Sequence, residues 1–436
     1  MTTTDTPRPD VPGPRSDTAE PALPHALPRR QWRTPVILWV LAVVALLGFA
    51  LTAPVDRSSA FGLSTGGQAI QLPDLVLPTL ATTVVLGLLL AGLAAYATVL
   101  ANARRGVPLW VGLVAGAAFL LSFLTWAAEG QRIPFTNLLQ GALFLATPLV
   151  FGALSGVLCE RAGVINISIE GQLLSGAFTS AVVASLTGNV YVGLLAAPVA
   201  GLFFGWLLAV FAIRYVVDQI VLGVVLNVLV IGLTSFLYGQ VLVNDADTWN
   251  QPGRLPRVAV PGLVEIPVLG PVLFNQSLIV YLMYAAVIAV HVGLFRTRWG
   301  LRVRAVGEHP KAADTAGIDV NRLRFRNVLL GGAVAGLGGA FFTLGSVGAF
   351  GEEMTAGQGF IALAALIFGR WSPVGALLAA LLFGFAANLQ STLSIIGTPI
   401  PGEFLLMAPY LVTIFAVAGL VGKVRAPAAD GVPYRP

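Results

Sequence analysis

The sequence predicts an all-α polytopic membrane protein, a helical bundle of about ten to twelve transmembrane segments with re-entrant or half-helices among them. Three observations carry this. Of the 436 residues, 56% are hydrophobic and 10% charged, where a soluble domain has about 45–50% and 25%. Apolar runs recur at lengths that cross a bilayer, which takes about 20 residues. The arginines and lysines cluster at the ends of those runs, where they anchor and orient helices.

Residues 1–35 are rich in Pro, Thr, Asp and Arg and too poor in apolar residues to fold, so they are expected to be a disordered cytosolic tail. A cleaved signal peptide is not expected, because the polar stretch is too long for an n-region and the next apolar run is long enough to span. Runs at 36–53, 75–101 and 109–128 form an N-terminal set of helices, 36–128. A core over 138–424 holds runs at 138–158, 190–213, 219–243, 278–295, 325–350, 373–390 and 403–421. Residues 425–436 form a second cytosolic tail. Segments 166–187 and 358–369 are apolar but broken by polar residues and glycines, which leaves them open as spans, half-spans or re-entrant helices.

Charge orients the bundle. Arg29, Arg30 and Arg33 precede the first run, Arg104 and Arg105 follow the second, and Arg161 and Arg214 fall on the same side if 166–187 crosses once. The 244–277 loop then lies outside, where Asp245, Asp247 and Glu265 outweigh Arg254 and Arg257. Lys423 and Arg425 bring the C-terminus inside. Both termini are thus expected in the cytosol, which requires an even number of crossings: twelve if both doubtful segments cross, ten if both are re-entrant.

Several function classes lack support. The net charge of +5 anchors helices and does not point to nucleic acid. Cys159 is the lone cysteine, and His25, His291 and His309 are isolated, so neither a disulfide nor a metal site is expected. No cluster of His, Cys or paired acids in the spans suggests a membrane enzyme. An ion-coupled secondary transporter would bury several ionisable residues near the midplane, and Glu170 alone supports it thinly.

A charged island stands out at 296–326, where Arg296, Arg298, Arg302, Arg304, Lys311, Arg322, Arg324 and Arg326 face Glu308, Asp314 and Asp319. Within it, Pro310 suits a first helical turn and Gly317 the residue just past the last. The short helix between them carries Ala312, Ala313 and Ala316 as a face of small residues. It is too short to be stable alone and needs something to pack against. A solvated loop explains the arginines; a docking element explains the helix.

In 166–179, Ser168, Gln172, Ser175 and Thr179 recur at helical spacing as one polar stripe, with Asn166 and Glu170 expected on the opposite side. Such a stripe faces protein or water and not lipid. Glu170 is either functional or a structural acid paired near the cytosolic edge with Arg161. Asn227 sits mid-span as a lesser pathway candidate or a bridge between helices. Gly332, Gly336 and Ala340 have the spacing of close helix packing. Arg370, in the cytosol-facing FGRWSP, is read as a helix anchor or a second docking contact.

Three stretches carry a resemblance: GLRVRAVGEHPKAADTAGIDVNRLRFRNVLLGGAVAGLGGAFFTLG, GVLCERAGVINISIEGQLLSGAF and MTAGQGFIALAALIFGRWSPVGALLAALLFG. Together they resemble ABC importer permeases of the simple-sugar and branched-chain amino-acid group, over about residues 138–424. The third is most similar to nucleoside importer permeases that work with a basic membrane lipoprotein. The resemblance implies a coupling helix that sits in a groove of an ATPase subunit. That role falls on Glu308, His309, Pro310, Lys311, Ala312, Ala313, Asp314, Ala316, Gly317 and Asp319. It also implies a second permease subunit, identical or related, and an extracytoplasmic substrate-binding lipoprotein. Gln358 opens a segment resembling the family's pathway lining. The chain has no G-x-x-x-x-G-K-[ST] phosphate loop, so ATP would be used by the partner, and no cofactor is expected on this chain. Neutral donors and acceptors at Ser168, Gln172, Ser175 and Thr179 suit ribose hydroxyls and base edges. The spans hold no basic cluster for a nucleotide's phosphates, and a zwitterionic amino acid would need a charged partner at each end. The expected function is a plasma-membrane permease for nucleoside uptake. The alternatives are a simple-sugar or branched-chain amino-acid permease, or an ion-coupled transporter.

Overall fold

A computed structural model describes residues 32–66, 70–398, 407 and 425–435. Arg29, Arg30, His25, most of the expected tail 1–35, most of the apolar run 403–421 and Lys423 lie outside the described residues.

Among those described, ten helices are long and apolar enough to cross a membrane. They are α1 (Arg33–Ala50), α2 (Thr79–Asn102), α3 (Leu109–Ala127), α4 (Phe135–Glu160), α5 (Ile169–Thr187), α6 (Val190–Arg214), α7 (Gln219–Leu242), α10 (Leu278–Arg296), α13 (Val320–Val347) and α15 (Pro373–Ile396). Between them lie the short helices α8 (Ala246–Trp249), α9 (Leu269–Phe274), α11 (Arg298–Glu308), α12 (Pro310–Thr315) and α14 (Gln358–Phe368). The chain is a multi-pass membrane protein.

Of the two doubtful segments, 166–187 contains α5, whose 19 residues are long and apolar enough to cross a membrane and which stops at Gly188, whose left-handed φ of 63° suits a glycine. The other is a half-helix. The 11 residues of α14 rise about 16 Å, half the ~30 Å hydrocarbon core. Phe350 donates its amide to Asn250 Oδ1 at 2.6 Å, at one end of the bundle. An irregular stretch then descends to α14, and Trp371 lies at the other end beside Arg161, which donates to its carbonyl at 2.8 Å.

α4 is the mast of the bundle. Its second half is buried on every side, with α5, α13, α14 and α15 around it. The pairing of α6 with α13 runs backbone to backbone. A methyl group added to Gly201 would lie 2.6 Å from Gly336 Cα, so only glycine permits the approach, as the small-residue spacing predicts. α1, α2 and α3 pack around Phe49, Leu90 and Leu93 as a satellite cluster. It joins the main bundle through a seam of Phe61, Ile133, Leu138 and Leu393.

The sequence predicts no strands, yet among the described residues two small sheets lie at the bundle end opposite the island. β1 (Ser58–Phe61) pairs antiparallel with β2 (Leu75–Pro78) and parallel with β3 (Arg132–Ile133). Arg132 grips Asp74 with two hydrogen bonds of 2.6 and 2.8 Å, a fork geometry that holds the Asp74 carboxyl below its ordinary range. β4 (Arg257–Ala259) pairs antiparallel with β5 (Asn275–Ser277).

Candidate functional site

Two helix starts meet inside the bundle, and each is capped by a side chain from elsewhere. The first amides of a helix have no partner within it. At the start of α5, Ser168 makes no side-chain cap; instead Asn227 of α7 accepts the Gly171 amide at 2.8 Å and donates to the Ile167 carbonyl at 2.9 Å. At the start of α14, Gly357 offers no side chain. Glu170 of α5 supplies the acceptors: Oε1 takes the Thr355 hydroxyl at 2.6 Å and the Gly357 amide at 2.9 Å, and Oε2 takes the Gly359 amide at 2.6 Å. A methyl group on Gly359 would lie 2.5 Å from Glu170 Cα, so glycine is required there. Glu170 is 4% exposed, and these three donors satisfy it in place of a cation. The pairing with Arg161, part of one of the two readings of Glu170, is not formed. Arg161 turns to the α14–α15 connection and donates to the carbonyls of Trp371 and Arg370.

Beside this junction lies a closed amide–hydroxyl ring. Asn166 donates to Gln172 Oε1 at 3.0 Å and to Ser155 Oγ at 3.1 Å. Ser168 donates to Asn166 Oδ1 at 2.8 Å, and Gln172 donates to Ser168 Oγ at 3.0 Å. Asn166 therefore joins the polar stripe and does not oppose it. The expectation extended helical periodicity back to residue 166, but the helix begins only at Ile169, and a residue before the first turn is not bound by the 3.6 period. Ser155 of α4 escaped notice because it is a lone hydroxyl in an apolar run. Ser175 turns back to the Gln172 carbonyl at 2.9 Å. Thr179 and Gln358 are only half-buried, and Gln358 Oε1 is buried without a hydrogen-bond partner.

The island forms two helices. α12 begins at Pro310, and Gly317 follows it in the left-handed region at φ 80°. Asp319 caps α13 through the Arg322 amide at 2.9 Å. The alanine face is split: Ala312 and Ala316 are exposed, but Ala313 is 4% exposed and packs on Val306, Val320, Leu323 and Tyr434. Ala313 is thus an internal contact, because a helix of six residues needs support from its own chain. Glu308, His309, Lys311 and Asp314 are exposed and Pro310 half-buried. α11 was not foreseen; Val303 and Val306, three apart among arginines, were the available signal, and both are fully buried. The guanidinium groups of Arg304 and Arg161 lie over the Phe295 ring, 5.1 and 5.8 Å from its centroid.

Residues 137–417 match the family described as the permease component of the branched-chain amino acid transport system. The chain belongs to this family. Relatives of this permease include the guanosine ABC transporter permease protein NupQ of Bacillus subtilis (strain 168). It is 42% identical over 315 residues, covering 68% of this chain and 96% of the relative. The nucleoside ABC transporter permease protein NupC of Lactococcus lactis subsp. cremoris (strain MG1363) is 41% identical over 312 residues, covering 67% and 94%. A second guanosine permease protein of the same Bacillus subtilis strain, NupP, is 25% identical over 347 residues, covering 74% and 97%. No solved structure matches the chain.

Proposed function

We propose that this permease is one of the two membrane subunits of an ABC importer that takes up purine or pyrimidine nucleosides, driven by ATP hydrolysis on a separate subunit. The observation that carries this reading is the similarity to NupQ, a guanosine permease protein, at 42% identity over 68% of this chain and 96% of NupQ. The interior chemistry agrees with uncharged cargo. The buried polar side chains near the α5–α14 junction, Asn166, Ser168, Gln172, Ser175, Asn227 and Thr355, are neutral amides and hydroxyls bonded within the protein, so they bring no charge to the interior. In this reading Thr179 and Gln358 border the passage, and the ring holds α4 and α5 together behind them.

The island end of the bundle is the cytosolic face, with both termini there, as the clustered arginines and lysines require. The exposed edge of α12, formed by Lys311, Ala312, Thr315 and Ala316, docks on the ATPase subunit. A related permease completes the pair, as NupP and NupQ occur together in one organism. An extracytoplasmic lipoprotein delivers the cargo. The chain lies in the plasma membrane and does not itself hydrolyse ATP.

The test is uptake by the reconstituted complex, with radiolabelled guanosine, ribose and leucine as cargo. Guanosine is expected to accumulate only with ATP, and excess unlabelled nucleoside to compete. Accumulation of ribose or leucine without competition by nucleoside overturns the nucleoside assignment.

A further inference from the structure

The last described residues return to the island and are bonded to it at several points. The Ala429 amide donates to the Gly307 carbonyl at 2.8 Å, and the Ala428 amide to Glu308 Oε2 at 3.2 Å. Both acceptors close α11. Tyr434 packs against the cluster of Val306, Ala313 and Val320 and lines one cavity together with Asp314, Ile318 and Asp319. One short segment therefore touches α11, α12 and the start of α13.

The same segment is tied into the bundle. Arg324 of α13 is 2% exposed, the largest fully buried side chain described. Its guanidinium donates to the Val432 carbonyl at 2.8 Å, to Ala162 at 3.0 Å and to Ala429 at 3.4 Å. Two of its three acceptors belong to the tail, so release of the tail strands a buried cation, an outcome far costlier than losing a surface contact. The turn that brings Ala162 there passes through Gly163 at φ 87°, where a methyl group would lie 2.6 Å from the guanidinium. Asp430 lies near Glu160 at the end of α4, and its Oδ1 is buried without a hydrogen-bond partner. Glu160 in turn accepts the Trp371 indole N–H at 2.5 Å, and Trp371 ends the turn that follows α14.

We propose that residues 427–434 are a clasp that positions the island and carries its displacement to α4 and to the half-helix α14, with Tyr434 and Arg324 as its positioning residues. Hydrogen bonds run from Gly307 at the end of α11 through Ala429 to Arg324 and Ala162, and from the adjacent Arg161 to the Trp371 carbonyl that follows α14. The coupling part of this inference rests on the reading of the island as the ATPase dock. The positioning part does not.

Two measurements test it. The first is amide hydrogen exchange on the full-length permease in lipid nanodiscs, comparing wild type with Tyr434→Ala and Tyr434→Phe. Tyr434→Ala is expected to speed exchange across 298–319 at least ten-fold while the α5 amides keep their protection, and Tyr434→Phe, which keeps the ring, to restore most of it. Wild-type exchange in Tyr434→Ala overturns the clasp. If Tyr434→Ala does not fold, Asp430→Ala in the same assay decides: unchanged exchange over 298–319 overturns the clasp. The second measurement is nucleoside moved per ATP hydrolysed by the complex that co-purifies with the chain. The clasp predicts at least a five-fold fall in this ratio for Tyr434→Ala, with the ATPase subunit still bound. A wild-type ratio overturns the transmission role. Failure of any ATPase subunit to co-purify with the wild-type chain would instead count against the importer reading, and the exchange result would still judge the clasp.

Discussion

Glu170 Oε2 accepts the Gly359 amide at 2.6 Å, and this one bond ties the first turn of α5 to the first turn of α14. The two residues are far apart in sequence and belong to separate stretches, each resembling a permease signature. Their contact makes a full span and a half-helix into one unit. It also explains why a carboxylate sits among apolar side chains without a cation: three donors replace the water it lost.

Glu170→Gln keeps the shape and removes one of the two acceptor oxygens. Its new amide group points donors at donors, leaving at least one buried N–H or O–H unpaired at a cost of about 1–3 kcal/mol. Thermal unfolding in detergent is expected to shift down by several degrees, with uptake reduced at least ten-fold. Gly359→Ala is expected to do the same by steric conflict with the α5 backbone. Wild-type melting in both would show that the junction does not hold the helices together.

The two faces of α12 give opposite phenotypes. Ala313 is an interior contact, so Ala313→Arg forces a cation into an apolar cluster and is expected to destabilise the fold by roughly 3 kcal/mol or more. Ala312 is exposed, so Ala312→Arg is expected to leave stability within about 0.5 kcal/mol while lowering the amount of ATPase subunit that co-purifies. Equal melting temperatures for the two variants would mean that α12 is not seated as described.

Docking of the C-terminal segment is expected to weaken as pH rises. Burial pushes the Asp430 carboxyl up to about 7, against hydrogen bonds with Glu160 and Gly431 and the charge of Arg324, which pull it down. The groups facing it are Glu160 and Cys159 at the end of α4 and Arg324 on α13. A released tail titrates near the ordinary value of about 3.9. Between about 4 and 7 the docked form holds a proton that the released form lacks, so the stabilisation is fully present below about 4 and is lost as pH passes 7. Limited proteolysis of the tail is expected to accelerate from pH 6 to pH 8, and Asp430→Asn to flatten that dependence. A profile unchanged by Asp430→Asn would assign it to another group.

The orientation is open to direct labelling. Ala246 and Ala316 are exposed at opposite ends of the bundle, and Cys159 is fully buried. Ala246→Cys is expected to react with an impermeant maleimide from outside intact cells, and Ala316→Cys only after lysis. The reverse pattern would invert the topology.

The spans were legible because their signal is continuous: about twenty apolar residues admit few other structures in lipid. The α6–α13 contact was legible for the same kind of reason, since Gly332 and Gly336 mark a face before any partner is known. The chain's nonlocal capping was not. Nothing near Asn227 in sequence says that its acceptor is the Gly171 amide, and nothing near Glu170 says that its donors start at Thr355. Arg324 was read as one of several anchoring arginines, whereas it is buried under a tail whose sequence, rich in Ala and Pro, carries no periodic signal. The split of the alanine face was hidden too, because three alanines look alike until one of them meets Val306 and Tyr434.

The amino end of α14 carries the partial positive charge of aligned peptide dipoles, and Glu170 already neutralises it. Broken helices in transporters often turn that end toward an anionic group of the substrate. Here the chain supplies the anion itself. A phosphate or carboxylate approaching the break meets a like charge where open amides would otherwise stand, while an uncharged molecule meets no such barrier. In the importer reading proposed above, discrimination against anions would begin at this helix end, ahead of any side chain that reads a sugar or a base.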